Sequence, residues 1–436
     1  MKRRRKMLFH NIRILDEHLE DRQGMYVGVQ EDRITYIGDK KPAGDFGAIY
    51  DGRNRLLMSG FFNTHAHTPM TLMRGYGENM SLQSWLNDRI FPFETNLTGD
   101  DVYYAMLLGI AESLRFGIVS TTDMYYFCDR MAEAVLASGA KNNISRGITC
   151  FTDDDLEALV AYRESKSLFE TYHGSGNGRV RIDMSLHAEY TSNPKIAKQL
   201  AEFSRKLGAQ MHVHISETKT EHEECKQRHG GKTPVAYFNE LGLFDTKTTA
   251  AHCVWIEGED FSVLKEKGVT VASNAVSNLK LASGICNVPK LMEHGVNVTI
   301  GTDSVASNNS LNYIEELKLF ALLHKENSMD PTVITPKQSI HAGTAAGAFS
   351  QGRTDTGKLA VGNKADLIVL DLSGPHMFPV HDIATNLVYS ASGSDVVLTM
   401  VDGKVLYQDG EFPTIDLEQV KFQVMRSLKR IGSIHA

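Results

Sequence analysis

Short apolar runs alternate with amphipathic stretches through the middle of this chain, and that alternation restricts the fold more than any other feature of the sequence. Strand-like runs fall at 58–63, 118–122, 144–151, 179–186, 210–215, 248–252, 269–273 and 296–301. Between them, residues 100–115, 194–206 and 311–324 carry apolar side chains at three- and four-residue spacing, which predicts helices. Gly117 and Gly208 stand where two of these helices should stop, because glycine readily takes the left-handed conformation that closes a helix. Eight strands alternating with helices predict a parallel α/β barrel of the (β/α)8, TIM type more readily than an open sheet.

The two ends of the chain read differently. Before residue 58, short strands separated by turns recur, as in Gly24–Val29 and Arg33–Gly38, and 364–370 and 396–406 give a matching set. Both ends are expected to pair into one small, discontinuous β-sandwich. The predicted organisation is residues 1–57 as the first part of that sandwich, 58–357 as the barrel, and 358–436 as the second part with a final helix over 417–431. There is no internal repeat and no low-complexity segment.

Composition narrows the function. A chain of 436 residues with 42% hydrophobic and 23% charged residues can bury a large core, and its formal charge of −7 lacks the basic excess of a nucleic-acid binder. No run is long and apolar enough to predict a membrane span. The basic cluster Lys2–Lys6 precedes a segment too short and polar for a signal peptide, so it reads as a solvated tail. Five scattered cysteines without C-x-x-C spacing suggest reduced thiols and a cytoplasmic location. Cys253, beside His252, is expected to be a buried small hydrophobe rather than a nucleophile.

Polar residues recur where the predicted strands end. His65 and His67 close the first strand, and alternate strand residues share a face, so both imidazoles can meet one ion. His187, His212 or His214, His252 and Asp303 end later strands, with Glu217 three residues beyond His214. Any one of these, taken singly, reads more readily as a capped, hydrogen-bonded or surface polar residue. Five strands ending alike would require five coincidences, and barrel active sites lie at that rim. Spacing alone does not separate His212 from His214.

The segments G-F-F-N-T-H-A-H, R-G-Y-G-E-N, H-V-H-I-S-E-T, S-N-A-V-S-N-L-K-L-A-S-G and G-T-D-S-V-A-S-N-N resemble the amidohydrolase superfamily. The similarity extends through T-A-A-G-A and G-K-L-A-V-G-N-K-A-D-L-I-V-L, over nearly the whole chain. Within the superfamily the chain is most similar to methylthioadenosine/S-adenosylhomocysteine deaminases and related deaminases or chlorohydrolases. The resemblance implies one divalent metal held by His65, His67, His214 and Asp303, with zinc the first expectation and iron the second. Ser185–Ala188 offers no bridging lysine, so a mononuclear centre is expected.

The same resemblance implies hydrolytic deamination by metal-activated water. Asp303 would accept the water proton, Glu217 would protonate the ring nitrogen, His252 would orient the attacking oxygen and His187 would bind substrate. The long segment 68–94 carries Met70, Met73, Trp85, Ile90, Phe91 and Phe93, which can plug the barrel mouth or cover a thioether or aromatic substrate. Trp85 and Phe91-Pro92-Phe93-Glu94 resemble a family stretch whose glutamate binds ribose hydroxyls, so Glu94 inherits that role. Arg146 and Arg163 would meet a homocysteine carboxylate, although their spacing to His187 departs from the family's by a few residues. Ser283 is a further substrate-contact candidate. The expected substrate is a 5′-modified adenosine nucleoside, and the expected assembly is a homo-oligomer. Hydrolysis of another N-heterocycle, such as a chlorotriazine, is the alternative chemistry. An inactive metal-binding barrel is the alternative class, disfavoured because a structural site needs no Glu217 or His252.

Overall fold

The computed structural model describes residues 6–434, so all but the last residue of the basic cluster Lys2–Lys6 lies outside the described residues. Lys6 opens the first strand and its ammonium donates to the Asp45 carbonyl at 2.9 Å.

Eight parallel strands form the barrel in chain order: Phe61–Ala66, Ile118–Tyr125, Lys141–Ile148, Met184–Leu186, Met211–Ile215, Thr248–His252, Thr270–Ser273 and Asn297–Ile300. Val180–Ile182 adds a short strand beside the third. The first and last strands close the barrel without a regular ladder. Asp303 N donates to His65 O at 2.9 Å, Thr302 N to Asn63 Oδ1 at 3.0 Å, and the Tyr313 hydroxyl lies within bonding distance of the Phe62 and Ile300 carbonyls. The fold is thus a distorted (β/α)8 barrel, as the alternation predicts. The helices Gly99–Arg115, Pro194–Leu207 and Tyr313–Ser328 bear out the expected spacing, and Gly208 and Gly117 take φ of 65° and 83° at the first two helix ends.

Three strand predictions need revision. The run at 58–63 belongs to two strands, Arg55–Ser59 in the other sheet and Phe61–Ala66 in the barrel. They part at Gly60, where a β-carbon would meet Val119 at 2.3 Å, so only glycine lets the chain cross this close to the second strand. The run at 179–186 is interrupted at the buried Asp183, whose carboxylate accepts from Asn143. The third strand begins at Lys141 rather than Ile144. Lys141, Asn142 and Asn143 look like loop residues, but they are buried, and Lys141 is paired with Asp366 and with Asp402 at 2.8 Å.

The two ends of the chain meet in one eight-stranded mixed sheet. Leu367–Asp371 runs antiparallel to Arg55–Ser59, with Val369 opposite Leu57, and Val396–Val401 and Lys404–Gln408 extend that side. Lys6–Leu15, Asp21–Gln30 and Arg33–Gly38 extend the other side. Phe9, Ile12, Val27, Leu57, Leu367 and Leu398 give this sheet a core of its own. The closing helix spans Leu417–Ile434 and packs on Gly99–Arg115. Among the described residues no helix is long and apolar enough to cross a membrane.

Candidate active site

The strand ends converge at the C-terminal rim. His65 is the penultimate residue of the first strand and His67 follows it, His214 lies in the fifth, His252 ends the sixth, and Asp303 follows the eighth. His65 Nε2 and His67 Nε2 each lie 3.4 Å from Asp303 Oδ1, and His67 Nε2 lies 3.4 Å from His214 Nε2. The outer nitrogens of these rings are occupied. His67 Nδ1 meets the Met124 carbonyl at 2.5 Å, and His214 Nδ1 meets the His187 carbonyl at 2.7 Å. His65 Nδ1 meets His212 Nε2 at 2.9 Å. A ring that donates its outer N–H keeps a lone pair on Nε2, the form a metal ligand requires. Spacing left His212 and His214 indistinguishable; the structure puts His214 in the cluster and His212 behind His65.

Burial favours the neutral form of the His65 and His214 rings. It drives the His65 pKa down to about 3 and that of His214 well below its usual value, the latter helped by neighbouring His187 and His65. His65 Nε2 is buried with no hydrogen-bond partner, an arrangement that costs ~1–3 kcal/mol unless something occupies it. His65, His67 and His214 bring three donor atoms together and His65, His252 and Asp303 a second, overlapping three, an imidazole and carboxylate set at the mouth of a barrel that fits a divalent ion such as zinc. The other Asp303 oxygen accepts from Ser277 at 2.6 Å and Ser307 at 3.1 Å, which turns Oδ1 toward the imidazoles.

Glu217 lies at the edge of this cluster, its Oε2 3.7 Å from His252 Nε2. It is buried, and desolvation reinforced by the charge of Asp303 raises its pKa to about 8. His252 Nδ1 meets Asn278 Oδ1 at 2.9 Å, which fixes the ring plane. Ser216, His252 and Asp303 all have positive φ (49°, 73° and 59°), a cost of ~1–3 kcal/mol each, so the rim backbone is bent to aim these side chains.

Above the cluster opens a pocket with about 760 Å³ of space, its mouth included. His67, His187, His214, Glu217, His252 and Asp303 form its floor, and Glu94 and Arg146 stand on its wall. The segment 68–94 forms the roof with Met70, Leu82, Trp85, Leu86, Ile90 and Phe91. A π-type turn over Leu86–Ile90 interrupts its helical path, so side-chain direction there follows no sequence period. Met73 and Phe93, expected on the substrate side, instead turn into the protein core. Burial raises the Glu94 pKa to about 7, opposed by the neighbouring Tyr125 hydroxyl and by Arg146.

The remaining candidates are scattered. Arg146 is tied to Glu164 at 2.9 Å and lies over the Tyr126 ring at 4.5 Å. Arg163 is exposed and lines an adjoining cleft that shares Arg146 with the pocket. Ser283 is buried off the pocket wall, where its carbonyl accepts from the Trp255 indole at 2.7 Å, and Leu281 takes the wall position instead. Cys253 is fully buried, and burial holds its thiol pKa well above the usual value, in keeping with a packing role. Sequence reasoning missed Tyr125, Tyr126 and Tyr190 in the pocket wall, and Ser277 and Ser307 behind Asp303. The two serines lie within quoted motifs, but only their geometry reveals a role.

The sequence pattern of the amidohydrolase family matches residues 56–406. The chain is 40% identical over 392 residues to 5-methylthioadenosine/S-adenosylhomocysteine deaminase of Dictyoglomus thermophilum, covering 90% of this chain and 91% of the relative. It is 39% identical over 406 residues to 5′-deoxyadenosine deaminase of Methanosarcina mazei, covering 93% of each. The structure of an adenosine deaminase from Xanthomonas campestris with bound zinc superposes with a TM-score of 0.91 at 27% identity, covering 98% of both chains. The atrazine chlorohydrolase from Arthrobacter aurescens TC1, complexed with zinc, gives 0.89 at 22% identity over 97% of this chain and all of the other, a likeness of fold alone.

Proposed function

Since this chain belongs to the amidohydrolase family, we propose that it is a metal-dependent hydrolytic deaminase of adenosine-type nucleosides, releasing ammonia and the inosine analogue. His65, His67, His214 and Asp303 would hold one divalent metal, zinc ahead of iron, consistent with their convergent donor atoms. When bound, that ion supplies the Lewis acidity that makes water nucleophilic near neutral pH.

The chain's own groups account for the rest. The observation that carries the reading is a buried Glu217 beside the His252–Asp303 group, 3.7 Å from His252, with a second carboxylate, Glu94, on the wall of the same pocket. Glu217 delivers its proton from a carboxyl oxygen to the ring nitrogen next to the amino-bearing carbon, where negative charge would otherwise build. Asp303 accepts the proton lost by the attacking water through Oδ1, its other oxygen being held by Ser277 and Ser307. His252, fixed by Asn278, orients the attacking oxygen, and His187 contacts the purine. The amino group then takes the proton held on Asp303 and leaves as ammonia, while the hydroxyl proton on the same ring carbon passes to Glu217, which restores both carboxyl groups and leaves the carbonyl of the product.

Glu94 would accept both vicinal ribose hydroxyls. Leu82, Trp85, Leu86, Ile90 and Phe91 give an apolar roof suited to a deoxy or methylthio group at the 5′ position. With Arg146 engaged by Glu164, we rank 5′-deoxyadenosine and methylthioadenosine at least level with S-adenosylhomocysteine. The test is ammonia release from adenine, 2′-deoxyadenosine, adenosine, 5′-deoxyadenosine, methylthioadenosine and S-adenosylhomocysteine, with chloride release from a chlorotriazine alongside. Highest kcat/KM on the ribose-bearing 5′-modified substrates is the expected result. Faster turnover of free adenine, or chloride release alone, overturns it.

A further inference from the structure

Glu217 stands on a turn that does not hold itself in place. Ser216, just before it, has a left-handed φ of 49° without being glycine, so other groups must maintain that conformation. Its carbonyl accepts from the amides of Val254 and Trp255, both at 3.0 Å. Its own amide and that of Glu217 turn the other way, into the protein, toward a buried carboxylate.

That carboxylate is Glu221. One of its oxygens accepts from Ser216 N at 2.9 Å, and the other accepts from Glu217 N at 2.7 Å. Thr218-Lys219-Thr220-Glu221 has the sequence of a capping box at the start of the helix Lys219–Arg228, and Thr218 Oγ1 does accept from Glu221 N at 3.1 Å. In an ordinary capping box the glutamate reaches back to the amide of the capping threonine. Here it reaches past Thr218 to the two residues before it. The next residue, His222, adds a ring nitrogen 3.2 Å from the Ser216 hydroxyl.

The helix that carries this carboxylate is anchored at its other end. Arg228 and His229 both bind Glu189, whose carboxylate is buried, with His229 Nε2 2.8 Å and Arg228 Nε 3.1 Å from Glu189 Oε1. Glu189 lies between the pocket residues His187 and Tyr190. The helix is therefore fixed to the barrel rim at both ends and can hold Glu217 against it.

We propose that Glu221 is the positioning residue of Glu217: its two carboxylate oxygens fix the Ser216 and Glu217 amides and thereby aim the Glu217 carboxyl at the substrate. The catalytic half of this inference rests on the deaminase reading; the structural half does not. The experiment compares wild type, Glu221→Gln and Glu221→Ala, each loaded with zinc, by steady-state kinetics on the best nucleoside, metal content, and amide hydrogen exchange of the 213–222 segment. Misplacing a reacting group by about 1 Å costs on the order of 100-fold. Glu221→Ala is expected to lose about that factor in kcat, with KM and metal content nearly unchanged and exchange at Ser216 and Glu217 markedly faster. Glu221→Gln keeps one acceptor oxygen and should recover much of the lost kcat and protection. Wild-type kcat in Glu221→Ala, unchanged exchange at both amides, or joint loss of kcat, KM and metal with no rescue by glutamine each overturn the proposal. If the wild type deaminates no nucleoside, the functional reading fails while the exchange result still decides whether Glu221 holds the turn.

Discussion

Two buried polar clusters lie at different places in this molecule, one at the rim of the barrel and one where the barrel meets the mixed sheet. At the junction, Lys141 is paired with Asp366 and Asp402, Arg179 reaches Asp402 at 3.0 Å, and Thr356 donates to Asp366 at 2.7 Å. The oxygens of Asp402 meet an ammonium and a guanidinium instead of well-aligned hydrogen-bond donors, but both charges are answered. At the rim, the outer nitrogens of His65, His67 and His214 are engaged, while their inward nitrogens and Asp303 Oδ1 converge and His65 Nε2 has no hydrogen-bond partner. A cluster that neutralises itself holds the structure together. One whose donor atoms converge has the geometry to hold an ion.

That contrast can be broken most severely at the rim. His214→Ala should reduce bound metal from about one per chain to near none and activity to background, because the donor set loses one of its four members. Elemental analysis with an ammonia assay checks this, and a variant that keeps its metal would remove His214 from the set. Glu217→Gln should retain metal and nucleoside affinity yet lose about 10²–10⁴-fold in kcat, the usual contribution of general acid–base catalysis. Near-native turnover would show that the proton travels by another route.

At the junction the effect should have the opposite character. Lys141→Met leaves Asp366 and Asp402 short of their main cation and is expected to cost ~3–5 kcal/mol of stability. Thermal or urea unfolding would report it, while kcat of the remaining folded protein should be unchanged. Loss of kcat without loss of stability would mean that the two clusters are coupled. The smallest effect belongs to Glu94, which stands apart from both clusters. Glu94→Gln should raise the barrier for ribose-bearing substrates by ~1–3 kcal/mol and leave free adenine unaffected. Because burial holds the Glu94 pKa up near 7, its carboxylate is present above that pH and lost below it. The preference for adenosine over adenine should therefore weaken as pH falls through 7, and Glu94→Gln should abolish that dependence.

The sequence displays the barrel through periodicity, and the strand-end histidines through the rule that barrel chemistry sits at one rim. Periodicity misleads where polar residues are buried in pairs, as at Lys141, and where one apolar run serves two sheets, as on either side of Gly60. Spacing could not choose between His212 and His214, because both point into the barrel and only depth distinguishes them. The roof was the least legible part, since Met73 ends a 3₁₀ turn over Thr68–Met73 and Phe93 follows the π-type turn over Leu86–Ile90, so no single period runs through the segment. Partners distant in sequence, such as Ser277 and Ser307 behind Asp303, have no local signal at all.

The antiparallel pairing of Arg55–Ser59 with Leu367–Asp371 sets a timetable for the chain as it leaves the ribosome. The Arg55–Ser59 strand is made early, yet one of its neighbours does not exist until residue 367 has been translated. Until then its edge presents unpaired amides and carbonyls, the kind of surface that recruits other chains. The barrel between them can begin to assemble before that edge is covered. Nascent chains stalled before residue 367 should therefore bind chaperones through their first strands, and chains released beyond residue 408 should not.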